Sequence, residues 1–201
     1  MAETTRRRFL SAGVAAGAGL WIARNRVSAQ GLGGQFAMPG QPPCTDTRKA
    51  TPEVKNLEAF KPNAPVRSMI AEGGIAGVVV NFSGTLIGLT CGVIKNARID
   101  VWHADNRGEY DMKGFNHRGA QMTDDKGAFA FQTTPPGPAA GLPPHINVRI
   151  QPPGKAPFTT RVFLGPGGTV SKDPAAPPEL VVKVGEQNGK RTATFDFVLN
   201  L

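Results

Sequence analysis

The chain has 201 residues, 40% of them hydrophobic, with a formal net charge of +8 and two cysteines. That length suits one domain with a proper core, and the glycine and proline content is high but below the level that marks disorder. Its basic residues are scattered and not interleaved with aromatic side chains, which excludes nucleic-acid binding through a basic stripe or a stacking platform.

Residues 1–29 read as an export signal outside the fold. Thr5-Arg6-Arg7-Arg8-Phe9-Leu10 is a twin-arginine signature, and an Ala/Gly-rich apolar run follows from Ala12 to Ala23. Val27-Ser28-Ala29 supplies small residues for cleavage before Gln30, and Arg24 and Arg26 suit the twin-arginine route. An apolar run of about a dozen residues is too short for a bilayer that needs ~20. The expectation is a periplasmic or secreted protein with no membrane span after cleavage. Five arginines and Glu3 leave with the signal, taking +4 of the +8 and leaving the mature chain at +4.

Residues 30–59 are predicted to be an arm with a short helix. Gln30–Pro43 is rich in Gly and Pro. Thr51-Pro52-Glu53 has the signature of a helix start, with Thr as the cap, Pro at the first position and an acid in the first turn. Pro62 and Pro65 end that helix near Phe60. Cys44 and Cys91 are a candidate disulfide, because paired thiols are the rule in an oxidising compartment.

From residue 60 to 201 the pattern is that of strands. Strand-like runs fall at Ile75–Phe82, Thr85–Leu89 after a Ser83-Gly84 turn, Arg98–Trp102, Gly127–Thr133, His145–Ile150, Phe158–Leu164, Leu180–Val184 and Thr192–Leu199. Gln187-Asn188-Gly189-Lys190 carries an Asn-Gly hairpin signal. Helical segments of useful length do not separate these runs, so the predicted fold is all-β: an antiparallel sandwich of about eight strands.

All three histidines and the single tyrosine lie between Ala97 and Ile150. In His145–Ile150 a period of two puts Ile146, Val148 and Ile150 on the core face and His145, Asn147 and Arg149 on the other. That polar row is either a solvated face, the ordinary outcome, or one wall of a site.

The ordered motifs Val101-Trp102-His103-Ala104-Asp105, Gly108-Glu109-Tyr110-Asp111, Arg118-Gly119, Thr123-Asp124-Asp125-Lys126-Gly127, Phe131-Gln132-Thr133 and Pro136-Gly137 to His145-Ile146 resemble intradiol ring-cleavage dioxygenases. The resemblance runs from about Phe60 to Gly168. It implies a β-sandwich and non-haem Fe(III) chemistry that opens catechol-type rings between the two hydroxyls. It also implies a ligand set of two tyrosines and two histidines, hard phenolates and imidazoles that suit the ferric ion.

By this resemblance the metal ligands are Tyr110 and His145. The second tyrosine position is Ala139, the second histidine position is Asn147, and an arginine position that assists substrate charge is Leu142. Asn147 and His117 are tentative replacements, and His103 is a further histidine in reach of the region; surface histidines are the ordinary expectation for both. Two functional classes stay open. One is an iron enzyme acting on a small aromatic diol, with activity weak, altered or lost through the two replaced ligands. The other is a metal-free binding or accessory sandwich that keeps the cleft.

Overall fold

A computed structural model describes residues 48–71, 77–187 and 189–201. The signal segment 1–29, the arm 30–43, Cys44, Ile75 and Asn188 lie outside the described residues. The Cys44–Cys91 pairing is therefore not described from both sides.

The described residues form nine strands: β1 (Val80–Gly88), β2 (Arg98–Trp102), β3 (Arg118–Met122), β4 (Ala128–Thr133), β5 (His145–Gln151), β6 (Phe158–Phe163), β7 (Lys183–Gln187), β8 (Lys190–Thr194) and β9 (Phe197–Leu199). One sheet has the order β4-β1-β8-β7, with β9 continuing beside β1, and the other has the order β3-β2-β5-β6. Pairing is antiparallel except where β1 runs parallel to β8 and β9. The all-β sandwich expected from the alternation is the observed architecture.

Alternation sets the core. Ile99, Val101, Ile146, Val148, Ile150 and Val162 from one sheet meet Val80, Phe82, Leu86, Phe129, Phe131 and Phe197 from the other, all buried. Each fully buried side chain of this kind contributes roughly 1.5–3 kcal/mol relative to exposure, so the apolar rows hold the two sheets face to face.

Five local readings are corrected. Residues 51–60 form no helix; they run as an irregular strap whose backbone groups are used elsewhere. Thr51 N–H donates to Val198 O at 2.8 Å and Val54 N–H to Thr159 O at 2.8 Å. Thr51 Oγ1, the expected cap, instead accepts Val198 N–H at 2.9 Å. Sheet-edge groups thus outcompete a helix that had only one short turn to offer.

Ser83-Gly84 is not a turn. It sits inside β1, where a Cβ on Gly84 would lie 1.8 Å from Phe195 O, so the glycine admits a crossing backbone. Strand β3, Arg-Gly-Ala-Gln-Met, was not among the predicted strands because it holds no β-branched residue; it pairs with β2 all the same. Leu180 belongs to a tight turn, Pro178–Leu180, and the strand begins at Lys183, since Pro177 and Pro178 bend the chain first. The predicted last strand is split at Phe195-Asp196 into β8 and β9, where Asp196 Oδ1 accepts Thr85 N–H at 2.9 Å and Thr85 Oγ1–H at 2.7 Å.

Candidate active site

The polar face of the β3-β2-β5-β6 sheet is not solvated. His145 is 1% exposed and Asn147 0%, so the solvated-face expectation is overturned. The cause is the 51–60 strap, which lies over this face. Phe60 packs on Trp102 with ring centroids 5.2 Å apart, and the Arg149 guanidinium sits 5.6 Å from the Phe60 ring. Thr159 Oγ1 donates to Val54 O at 2.6 Å and Thr160 Oγ1 to Pro52 O at 2.8 Å, fastening the strap along β6.

One row of side chains crosses the sheet in register: Arg118 opposite Trp102, Trp102 opposite Asn147, Asn147 opposite Arg161. Three of the four hold the strap where it passes residues 58 and 59. Trp102 Nε1–H donates to Glu58 O at 3.0 Å. Arg118 donates to Ala59 O at 2.6 Å and, through Nε, to Asp111 O at 3.0 Å. Arg161 donates to both Glu58 oxygens, at 3.3 and 3.0 Å. Arg118 therefore ties the strap to the loop that carries Tyr110.

The row converges on a polar cluster. Tyr110 Oη lies 3.0 Å from His145 Nε2 and 3.2 Å from Glu58 Oε1, and His145 Nε2 lies 3.0 Å from the same Glu58 oxygen. Asn147 Nδ2–H donates to Tyr110 Oη at 3.1 Å. His145 Nδ1 faces Pro143 O at 2.8 Å; a carbonyl only accepts, so Nδ1 carries the proton and Nε2 is the atom presented to the cluster. Among the described residues, Asn147 Oδ1 is buried and has no hydrogen-bond partner.

The electrostatics are consistent with this packing. Burial raises the Tyr110 pKa well above the usual phenol value, and the Glu58 charge adds to that against the Asn147 hydrogen bond. For Glu58, burial alone would raise the carboxyl, but its own backbone N–H, Arg161 and His145 outweigh it and hold the pKa below the usual range. Tyr110 is thus a neutral donor facing an ionised carboxylate.

Tyr110, His145 and Asn147 are brought together by the fold. His117 is placed by other partners: its ring lies 4.8 Å from that of His103 and its Nε2 is 3.2 Å from Thr134 Oγ1. His103 is not a surface residue. It is 1% exposed, with Nδ1 on Ala104 O and Nε2 on Thr133 Oγ1, both at 2.7 Å. Glu58 and Arg161 were not singled out by the sequence. Glu58 lies in a segment that reads as helix, 52 residues before Tyr110, and nothing local marks it as a site residue.

A cleft of about 1170 Å³ lies against the 134–144 loop, lined among others by His117, Thr134, Ala139, Leu142 and Pro143. Pro143, whose carbonyl holds His145, lines it, whereas Tyr110, His145 and Glu58 do not. Ala139, at the second tyrosine position, is 6% exposed and presents only a methyl group.

The donor types present fit a first-row metal: a phenol oxygen, an imidazole nitrogen held by its far ring nitrogen, and an orphaned buried amide oxygen. A family model described as dioxygenase matches residues 54–141. The chain is 28% identical over 141 residues to a chlorocatechol 1,2-dioxygenase of Pseudomonas putida, covering 58% of this chain and 54% of that protein. It spans about half the length of the curated relatives it matches. The structure is similar to the dioxygenase domain of a dioxygenase–carbohydrate-binding fusion from Streptomyces sp. SirexAA-E, with 34% identity and a TM-score of 0.67, covering 76% of this chain and 99% of that one. An intradiol ring-cleavage dioxygenase from Tetranychus urticae shares the fold at 21% identity, with a TM-score of 0.66 and coverage of 76% and 95%.

Proposed function

The chain belongs to the intradiol ring-cleavage dioxygenase family, which generally uses Fe(III), and from that premise we propose that it is an exported member with a rebuilt iron site. Tyr110 and His145 hold the metal and Asn147 stands where a second histidine is usual. The reaction is oxidative opening of a catechol-type ring between its two hydroxyl-bearing carbons, at a rate lowered by the loss of a phenolate at Ala139 and an imidazole at Asn147. The observation that carries this reading is the meeting of Tyr110 Oη and His145 Nε2, 3.0 Å apart on a buried face.

Ferric iron bound there would supply Lewis-acid charge that draws a catecholate into the site and activates its ring, the source of the electrons, toward dioxygen. The remaining work falls to the chain. The Pro143 carbonyl orients His145 so that Nε2 faces the site. Arg161 helps keep Glu58 ionised, and Glu58 Oε1 positions Tyr110 by accepting its hydroxyl hydrogen bond. The 134–144 loop and its cleft supply an apolar, proline-stiffened wall for an aromatic ring. Leu142 gives that wall no charge, and absence of one charge-stabilising group costs about 10²–10³ in rate where it has been measured.

The test is oxygen uptake and ring-opened product from catechol by the mature protein, Gln30–Leu201, loaded with iron. We expect one product per oxygen at a rate roughly 10²-fold or more below that of the Pseudomonas putida relative, abolished in Tyr110→Phe. Absence of substrate-dependent oxygen uptake in the iron-loaded wild type overturns the proposal and favours a binding sandwich.

A further inference from the structure

We propose that Glu58 is a metal ligand, forming with Tyr110 and His145 a three-donor face for one first-row transition-metal ion. This rests on the reading above, that the Tyr110–His145 pair is the metal site, and adds a donor from a different part of the chain.

The geometry carries it. Glu58 Oε1, Tyr110 Oη and His145 Nε2 form a nearly equilateral triangle with edges of 3.2, 3.0 and 3.0 Å. Neighbouring donors on an octahedral ion with bonds of about 2.1–2.2 Å stand about 3.0–3.1 Å apart, so this triangle has the size of one octahedral face. Two anionic oxygens and one imidazole on one face, with the opposite positions open, is a hard donor set suited to iron.

Each donor is also held by a second group. His145 Nδ1–H is fixed by Pro143 O. Arg161 grips Glu58 at Oε2, 3.0 Å away, and more loosely at Oε1, 3.3 Å away, and so aims Oε1 at Tyr110 and His145. Tyr110 Oη is positioned by Asn147 Nδ2. Such outer partners orient metal ligands and tune their basicity. Asn147, 0% exposed, spends its Nδ2 on Tyr110 and has an Oδ1 without a partner among the described residues. The Glu58 side chain is 27% exposed against 1% for His145, so solvent reaches the carboxylate of the triangle and not its imidazole.

The bland account of Glu58 is an ion pair with Arg161 that seals the sheet. Two substitutions separate the accounts. Glu58→Gln keeps the shape and removes the charge; Glu58→Asp keeps the charge for Arg161 and withdraws the oxygens from the triangle. Mature wild type, both variants and Tyr110→Phe are titrated with Co(II), and with Fe(II) under anaerobic conditions followed by air, reading bound metal and the visible phenolate-to-iron band. The expected result is one metal per chain in the wild type, an affinity lowered at least ~10-fold in both Glu58 variants, and a shifted band in whichever variant retains iron. Wild-type affinity with an unmoved band in Glu58→Asp overturns the assignment, as does a wild type that binds neither metal. Metal bound through Glu58 without oxygen uptake on catechol leaves Glu58 a ligand and removes the ring-cleavage reading. Oxygen uptake and metal content unchanged in both variants remove Glu58 and keep ring cleavage.

Discussion

His103 spends both ring nitrogens inside the protein, one on a carbonyl and one on the Thr133 hydroxyl. Burial lowers its pKa to about 3, helped by the nearby charges of His117, His145 and Arg118 and opposed by the Ala104 hydrogen bond. The unfolded chain takes up a proton near pH 6.5 while the folded chain resists until about 3. Between those values the unfolded state binds more protons, so stability is full above pH 6.5 and falls as the pH drops. The slope from this one group is at most ~1.4 kcal/mol per pH unit. Asp111 adds to the same trend, its carboxyl held low by the N–H groups of Asn116, Gly114 and Lys113. In urea unfolding from pH 7 to pH 4, His103→Gln should be less stable than the wild type at pH 7 but should lose less on acidification. Parallel curves for the two proteins would refute the account. At this scale Tyr110, His145 and Asn147 were legible because each sits in a local motif. Glu58 was not, since its role depends on partners as far as 103 residues along the chain at Arg161.

Strands were read from alternation, and alternation does not report what crosses a strand. Ser83-Gly84 has turn composition, yet the glycine serves β1 by admitting the Phe195 backbone between β8 and β9. Gly84→Ala would press a methyl group onto Phe195 O at 1.8 Å and its carbonyl carbon at 2.7 Å, atoms of the main chain that cannot rotate away. The expected cost is ~2–3 kcal/mol, seen as a fall in Tm of roughly 4–10 °C for a chain of this size. Gly185→Ala in β7 is the control, because a Cβ there meets nothing within 4 Å; its Tm should stay close to that of the wild type. Equal Tm values for the two variants would mean that the crossing at Gly84 is not tight. The strap was misread for a related reason. Thr51-Pro52-Glu53 has good local chemistry for a helix start, but Val198, Thr159 and Thr160 offer its backbone partners that no local pattern contains.

The candidate site draws on four separate pieces of the molecule: the strap at Glu58, the loop at Tyr110, β5 at His145 and Asn147, and β6 at Arg161. The two-sheet sandwich was legible from periodicity, but the meeting of these pieces is set by strand register, which couples Arg118, Trp102, Asn147 and Arg161 across four strands. A site assembled this way does not exist in the unfolded chain, so whatever binds it must stabilise the fold by mass action. Metal at about 100 times its dissociation constant contributes ~2.7 kcal/mol, which corresponds to a rise in Tm of roughly 5–10 °C for a protein of this length. At the same metal concentration a variant with tenfold weaker binding should gain only about half of that. Thermal scans of the wild type and Glu58→Gln with and without Co(II) therefore measure the coupling of the site to the whole fold. Stoichiometric binding without any rise in Tm would place the ion on groups that the unfolded chain presents equally well, away from the place where strap, loop and sheet meet.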